Sequence, residues 1–347
     1  MDTWIHSMAR TVSSRRVAAW SAALAIIALL AFARLRYLEN FLRGPYDLGP
    51  ADLDGIRDVS TTPRYFVRVS GSKAMNTGIQ QITIRKRSGV ETGRSVAASY
   101  YVLAVGDRLL VCRSQSGSHT TFEGELAPIP MDLDRRIFDS AEMRAHRPRF
   151  YPFYVNDESF RLPGYWAIGG GLVFGLLLLA YGVPAWKRWR DPSSHEVVRR
   201  AAGWGDPIGT AVTAERESRT PRFKGGNGWA VTDQFLIQRR FFSFDLLRLQ
   251  DLLWAYKKVT KHSVNFIPTG KTYDACLMCY GGAATVQGKE NTVDEILGFA
   301  TQRAPWAIFG FSKELQEHFV KNTRAFCDTV EARKREWAQR ARTQGKT

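Results

Sequence analysis

The chain has 347 residues, a formal net charge of +16 and four cysteines. Its length allows about two to three domains. Cys112 stands alone in the first half and Cys276, Cys279 and Cys327 lie on what the charge pattern makes a reducing side, which excludes a disulfide-stapled scaffold.

Residues 1–16 read as a short basic tail. Val17–Ala33 comes next, seventeen residues without a charge, fenced by Arg15 and Arg16 before it and by Arg34 and Arg36 after it. A bilayer core of ~30 Å takes roughly 17–25 apolar residues, so residues 17–36 are predicted to form a first transmembrane helix. Ala31-Phe32-Ala33 also resembles the cleavage site of a secretory signal. The apolar core exceeds the ~7–15 residues usual in such signals, which favours an uncleaved anchor.

Residues 37–164 read as a β-rich domain. A polar stretch, Gly44–Thr62, precedes strand-like runs at Tyr65–Val69, Ile79–Arg85, Ser95–Ala104 and Leu109–Arg113. Ser88-Gly89 and Val105-Gly106-Asp107 supply turns, and Glu123–Leu126 with Pro128 and Pro130 closes the set. This spacing predicts a small, partly open barrel or sandwich. The aromatic stretch Phe150–Trp166 is expected to rest at a bilayer interface, where amphipathic rings cluster.

A second apolar run, Trp166–Pro184, places a second transmembrane helix over residues 165–186. Ala167, Gly171 and Gly175 recur at intervals of four, a small-residue face that lets membrane helices approach closely and that suits the first span or another copy of the chain. Lys187, Arg188 and Arg190 stand at its exit, whereas Arg161 at its entry is balanced by Asp157 and Glu158. The excess of Lys and Arg marks the cytoplasmic side. Of the formal charge, residues 1–36 carry about +4, residues 37–164 about +2 and residues 186–347 about +10. Both termini are therefore expected in the cytoplasm and residues 37–164 outside it, in a multi-pass protein of the cell membrane.

In residues 187–228, Ser193–Ala202 is predicted helical, and Asp206 before Pro207 marks the cap of a second helix running to about Glu217. Pro221–Gly228 reads as a linker or loop. Residues 229–347 carry strand-like runs at Trp229–Thr232, Phe235–Arg240, Phe244–Leu249, Leu252–Thr260, Ser263–Ile267, Thr272–Tyr280 and Ala283–Gln287, then a helix over Val293–Gln302. A last helix from near Ser312 carries Leu315, Phe319, Phe326, Val330 and Trp337 on one stripe. Val231-Thr232-Asp233-Gln234-Phe235-Leu236-Ile237, succeeded by Leu247–Tyr256 with Asp251 and Trp254, resembles the pleckstrin-homology-like (PH-like) domains of bacterial proteins. The whole chain is similar to two-span bacterial membrane proteins of unknown function. The resemblance implies an α+β fold with a cytoplasmic PH-like barrel and flanking helices, and it implies no activity.

Motifs of catalysis are weak. Gly270-Lys271-Thr272 ends like a phosphate-binding loop, but Asn265 stands where the first glycine belongs, and a Pro268–Lys271 hairpin turn is the better reading. Cys276-Leu277-Met278-Cys279 has CxxC spacing without a second pair, and in a strand the two thiols would face opposite ways. Ser70-Gly71-Ser72-Lys73 matches S-x-x-K without its companion elements. The six histidines are scattered. No catalytic, cofactor or metal residue is therefore predicted, and the chain is read as a non-enzyme. Lys187, Arg188, Arg190, Lys257, Lys258, Lys261 and Lys271 form a basic set suited to anionic lipid. Two spans without an internal charge argue against transport. The expected partners are the lipid bilayer and a protein or second copy, and no nucleic acid. The sequence thus points to a non-catalytic sensor or scaffold, with an accessory subunit of an envelope enzyme or transporter as the alternative.

Overall fold

The computed structural model describes residues 2–87, 90–264 and 267–344. The fold is mixed α/β and forms two compact units, one of residues 23–176 and one of residues 1–22 with 177–347. The turn expected at Ser88-Gly89 lies outside the described residues.

Helix α1 (Trp4–Ala33) is continuous. Its start is not a loose tail: Ile5, Ala9 and Val12 recur at helical spacing and are buried, and they join the core of the carboxy-terminal unit. Two helices, α1 and residues Leu162–Arg190, are long and apolar enough to cross a membrane. Their most apolar windows are 0% and 6% buried, which separates them from core helices of a soluble domain.

In the unit of residues 23–176, α2 (Leu35–Arg43) leads into β1 (Tyr46–Leu48) and α3 (Pro50–Asp54). The buried Asn40 ties α2 to residues 63–66. Its Nδ2 donates to the carbonyls of Arg36 and Pro63 at 2.8 and 2.7 Å, and its Oδ1 accepts from the amides of Tyr65 and Phe66 at 2.9 and 3.1 Å. Then come β2 (Phe66–Ser70), β3 (Lys73–Arg87), β4 (Val90–Val105), β5 (Arg108–Ser114), β6 (Thr121–Pro128), α4 (Met131–Ile137), α5 (Ala141–His146) and β7 (Phe150–Asn156). Among the described residues the strands form one mixed sheet of order β1-β2-β6-β7-β5-β4-β3 with two free edges, rather than the expected barrel or sandwich.

The cause is β7. The aromatic run expected at a bilayer interface enters the sheet between β5 and β6, parallel to the first and antiparallel to the second. Tyr151, Phe153 and Val155 fill one face, and Phe150 and Tyr154 the other. Phe160 is buried as well, and of the aromatic residues in that stretch only Tyr165 and Trp166 stand exposed. Strands buried on both faces read as continuous apolar runs, which an interfacial segment imitates.

Helix α6 (Leu162–Leu177) passes through a π-helical turn, Leu178–Gly182, into α7 (Val183–Arg190). Pro184 lacks an amide proton and would crowd the carbonyl of Ala180, and the wider turn relieves both. A Pro192–Ser194 turn, α8 (Glu196–Ala202) and α9 (Pro207–Arg219) come next, and Asp206 caps α9 by accepting from the amides of Ile208 and Gly209 at 3.1 and 3.0 Å.

The carboxy-terminal strands are β8 (Phe223–Lys224), β9 (Trp229–Val231), β10 (Phe235–Arg239), β11 (Phe244–Arg248), β12 (Leu252–Val264), β13 (Ile267–Cys279) and β14 (Gly282–Gly288). Helix α10 (Glu290–Arg303), β15 (Ile308–Phe309), α11 (Lys313–Lys321) and α12 (Thr323–Gln344) complete the chain. Two four-stranded sheets result among the described residues, β11-β10-β9-β8 and β14-β13-β12-β15. The Pro221–Gly228 stretch is no linker. It supplies β8, and an added Cβ at Gly225 would collide with Val286. The expected single last helix breaks at Asn322, and the separate Ser263–Ile267 strand merges into the long β12–β13 pairing. Pro268–Lys271 accordingly lies within β13, not in a turn, while Asn265 and Phe266 fall outside the described residues.

Candidate functional site

None of the residues predicted for helix packing is buried within this chain. Ala167 and Gly171 are exposed, and a Cβ added at Gly171 or Gly175 would meet nothing. The close approaches occur at other glycines. A methyl at Gly164 would collide with the ring of Phe41, and one at Gly182 would meet Leu178 and Trp20. A glycine repeat specifies a smooth face, whereas which glycine is covered depends on where α2 and the π-turn bring large side chains.

The predicted basic set divides between two places. On β12 and β13, Lys257 forms ion pairs with Glu290 and Asp294 of α10 at 2.8 and 3.0 Å. Lys258 lies opposite Asp274 in the register, and Lys261 lies opposite Lys271, an unfavourable pairing of like charges. Lys187, Arg188 and Arg190 occupy the last turns of α7, with the Arg190 guanidinium 5.4 Å from the ring of Trp186.

Arg188 lines a cavity with a second arginine. A cavity of about 620 Å³ is lined by Arg16 and Trp20 from α1, Tyr181, Pro184 and Arg188 from the second apolar helix, and Phe242 from the β10–β11 turn. Arg16 Nε donates to the Phe242 carbonyl at 2.7 Å. Arg15 lies over Phe241, its guanidinium carbon 4.6 Å from the ring centroid, and the Phe241 and Phe242 rings meet edge-to-face at 4.7 Å. No Asp or Glu is among the lining residues, and among the described residues Arg188 has no ion-pair partner. Two guanidinium groups thus share one cavity without a counter-ion, ringed by side chains of interfacial type. Sequence reasoning found Arg188 and missed Arg16, which belongs to a segment read as tail. Its available signal was position: Arg16 directly precedes the first apolar run.

The field of this pair reaches His195, the buried N-cap of α8, whose Nδ1 accepts from the Val197 amide at 3.2 Å. Burial first, then the charges of Arg188 and Arg16, lower its pKa to about 4, opposed by Asp245 and Glu196. The folded protein keeps this imidazole neutral where the unfolded chain takes up a proton. Stability therefore falls as pH drops from 6.5 toward about 4. His195→Asn keeps a capping acceptor and does not titrate. Its melting temperature is expected to fall less between pH 6.5 and about 5 than that of the parent chain. Parallel pH profiles would refute this assignment.

Cys276 and Cys279 are buried in β13, and desolvation raises both thiols, the second to about 12. Ser70 ends β2 with its hydroxyl 2.9 Å from that of Thr121. Among the described residues no group of three or more His, Cys, Asp or Glu is placed to hold a metal ion. No protein-family model, curated protein or solved structure matches the chain.

Proposed function

We propose that this is a two-span membrane protein whose carboxy-terminal unit is seated on anionic lipid through Arg16 and Arg188, a non-catalytic scaffold or sensor. The carrying observation is that the start of the first apolar helix and the end of the second contribute one arginine each to one acid-free, aromatic-ringed cavity. Basic pockets between membrane helices on the cytoplasmic side suit anionic head groups, and Trp and Tyr favour the same depth. Residues 1–22 and 177–347 fold together, which supports one side for both termini, and the cationic excess supports the cytoplasm as that side. The β-rich residues 37–164 are then extracytoplasmic. Two packed four-stranded sheets, antiparallel but for the short parallel β12–β15 pair, together with α10 support the PH-like reading of residues 229–347.

The test uses the full chain, because part of the core lies in α1. Purified in neutral detergent, it is titrated with dihexanoyl phosphatidylglycerol and with dihexanoyl phosphatidylcholine. The anionic lipid is expected to bind at least tenfold more tightly, a preference lost in the double variant Arg16→Gln, Arg188→Gln, since each charge-assisted hydrogen bond contributes about 1.5–3 kcal/mol. Equal binding of both lipids, or a preference unchanged in the variant, would rule out this seat.

A second reading, an accessory subunit or homo-oligomer, has one observation in its favour. The open face of α6 borders an apolar groove of about 860 Å³ that also draws on Ile27, Leu30 and Phe41. Such a face suits another membrane helix.

A further inference from the structure

Beyond that reading, the β-rich unit carries another acid-free cavity, of about 490 Å³, within the range usual for small-molecule sites. Much of its lining is apolar. Met75 and Ile79 come from β3, Leu109 from β5 and Met143 from α5, over the buried Ile137 and Phe150. Three cationic or protonatable side chains, Arg136, His146 and Arg149, stand around it, and no Asp or Glu lines it. Helix α4 carries two acids, Asp132 and Asp134; neither lines the cavity, and Asp134 pairs with Arg147 at 2.5 Å. Among the described residues Arg136 and Arg149 make no ion pair and no side-chain hydrogen bond, although guanidinium groups are the side chains best suited to fork onto a carboxylate or phosphate.

The wall from β3 is shaped for the purpose. Between Asn76 and Gln80 the register with β4 shifts, and Gly78 takes a positive φ of 75°. Asn76 Oδ1 accepts from the Gly78 amide at 2.8 Å, and Thr77 Oγ1 donates to the Tyr100 carbonyl at 2.7 Å. A bulge of this kind re-aims side chains on a strand and is common beside binding sites. Here it lies in the stretch that brings Met75 and Ile79 to the cavity.

We propose that this cleft binds a single-chain anionic amphiphile, its carboxylate or phosphate held by Arg136 and Arg149 and its chain laid along Met75, Ile79 and Met143. The full chain in nanodiscs of zwitterionic lipid is labelled with a diazirine-bearing medium-chain carboxylate, and the modified peptides are mapped. Labelling is expected within residues 75–79 or 137–150, and to be competed by octanoate or octyl phosphate. Acetate, inorganic phosphate and octylammonium should not compete. Arg136→Gln with Arg149→Gln should reduce labelling there at least tenfold while the melting temperature is retained, and Arg→Lys at both positions should restore part of it. Competition by octanoate alone identifies a carboxylate ligand, and stronger competition by octyl phosphate a phosphate one. Labelling confined to other segments, equal competition by octylammonium, full competition by inorganic phosphate, or labelling unchanged in the Gln variant would each overturn the proposal.

Discussion

Ala9→Asp is expected to destabilise the carboxy-terminal unit by about 3–5 kcal/mol, a large share of the roughly 5–15 kcal/mol that holds a domain together. Ala9 is fully buried between Ile5 and Val12 and shares a core with Val197, Val198, Ala201, Phe235, Ile237, Phe244 and Leu246. A carboxylate there has no cationic partner in that core, so the charge is left unpaired in a low dielectric. The melting temperature of the full chain should fall by about 10 °C, and protease sensitivity should appear in residues 190–340. Ser7→Asp, on the exposed side of the same helix, should change stability by no more than about 0.5 kcal/mol. If both variants melt with the parent chain, α1 is not part of this core. The same packing bears on processing, since cleavage after Ala33 would remove these core residues along with the apolar run.

The second large effect is expected at Trp254. Its side chain is among the largest fully buried ones, and it packs against Tyr256, Phe311, Phe319 and Phe326 with ring centroids 4.5–6.2 Å away. Its Nε1–H donates to the Gly310 carbonyl at 2.7 Å, which ties β12 to the segment after β15. Trp254→Ala combines a cavity with a lost donor and should cost about 3–5 kcal/mol in denaturant unfolding. Trp254→Phe keeps most of the aromatic contact and gives up the hydrogen bond, for about 1–2 kcal/mol. Equal costs for the two variants would show that the hydrogen bond and not the packing dominates.

Much of the local structure was legible because it depends on neighbours in the sequence. The Asp206-Pro207 cap of α9, the strands β9, β10, β11 and β14, and the helix α10 follow from capping chemistry and apolar periodicity. The aromatic run of β7 was misread because its composition fits an interface and a doubly buried strand alike, and its neighbours β5 and β6 are distant in sequence. The basic set was found as a composition and sorted only by tertiary partners. Lys257 meets Glu290 and Asp294, whereas Arg188 meets a second cation.

Two segments long and apolar enough for a membrane, a gathering of cations in residues 186–347 and the short runs that become strands are all written in the order of residues. Each is a property of a local window. Three other features arise only on folding. The first residues of α1 become core rather than tail, Gly164 and Gly182 rather than Gly171 and Gly175 are the covered glycines, and Arg16 and Arg188 come to share a cavity. Each of these joins residues far apart in the chain, and no local periodicity encodes a contact between segments separated by more than a hundred residues.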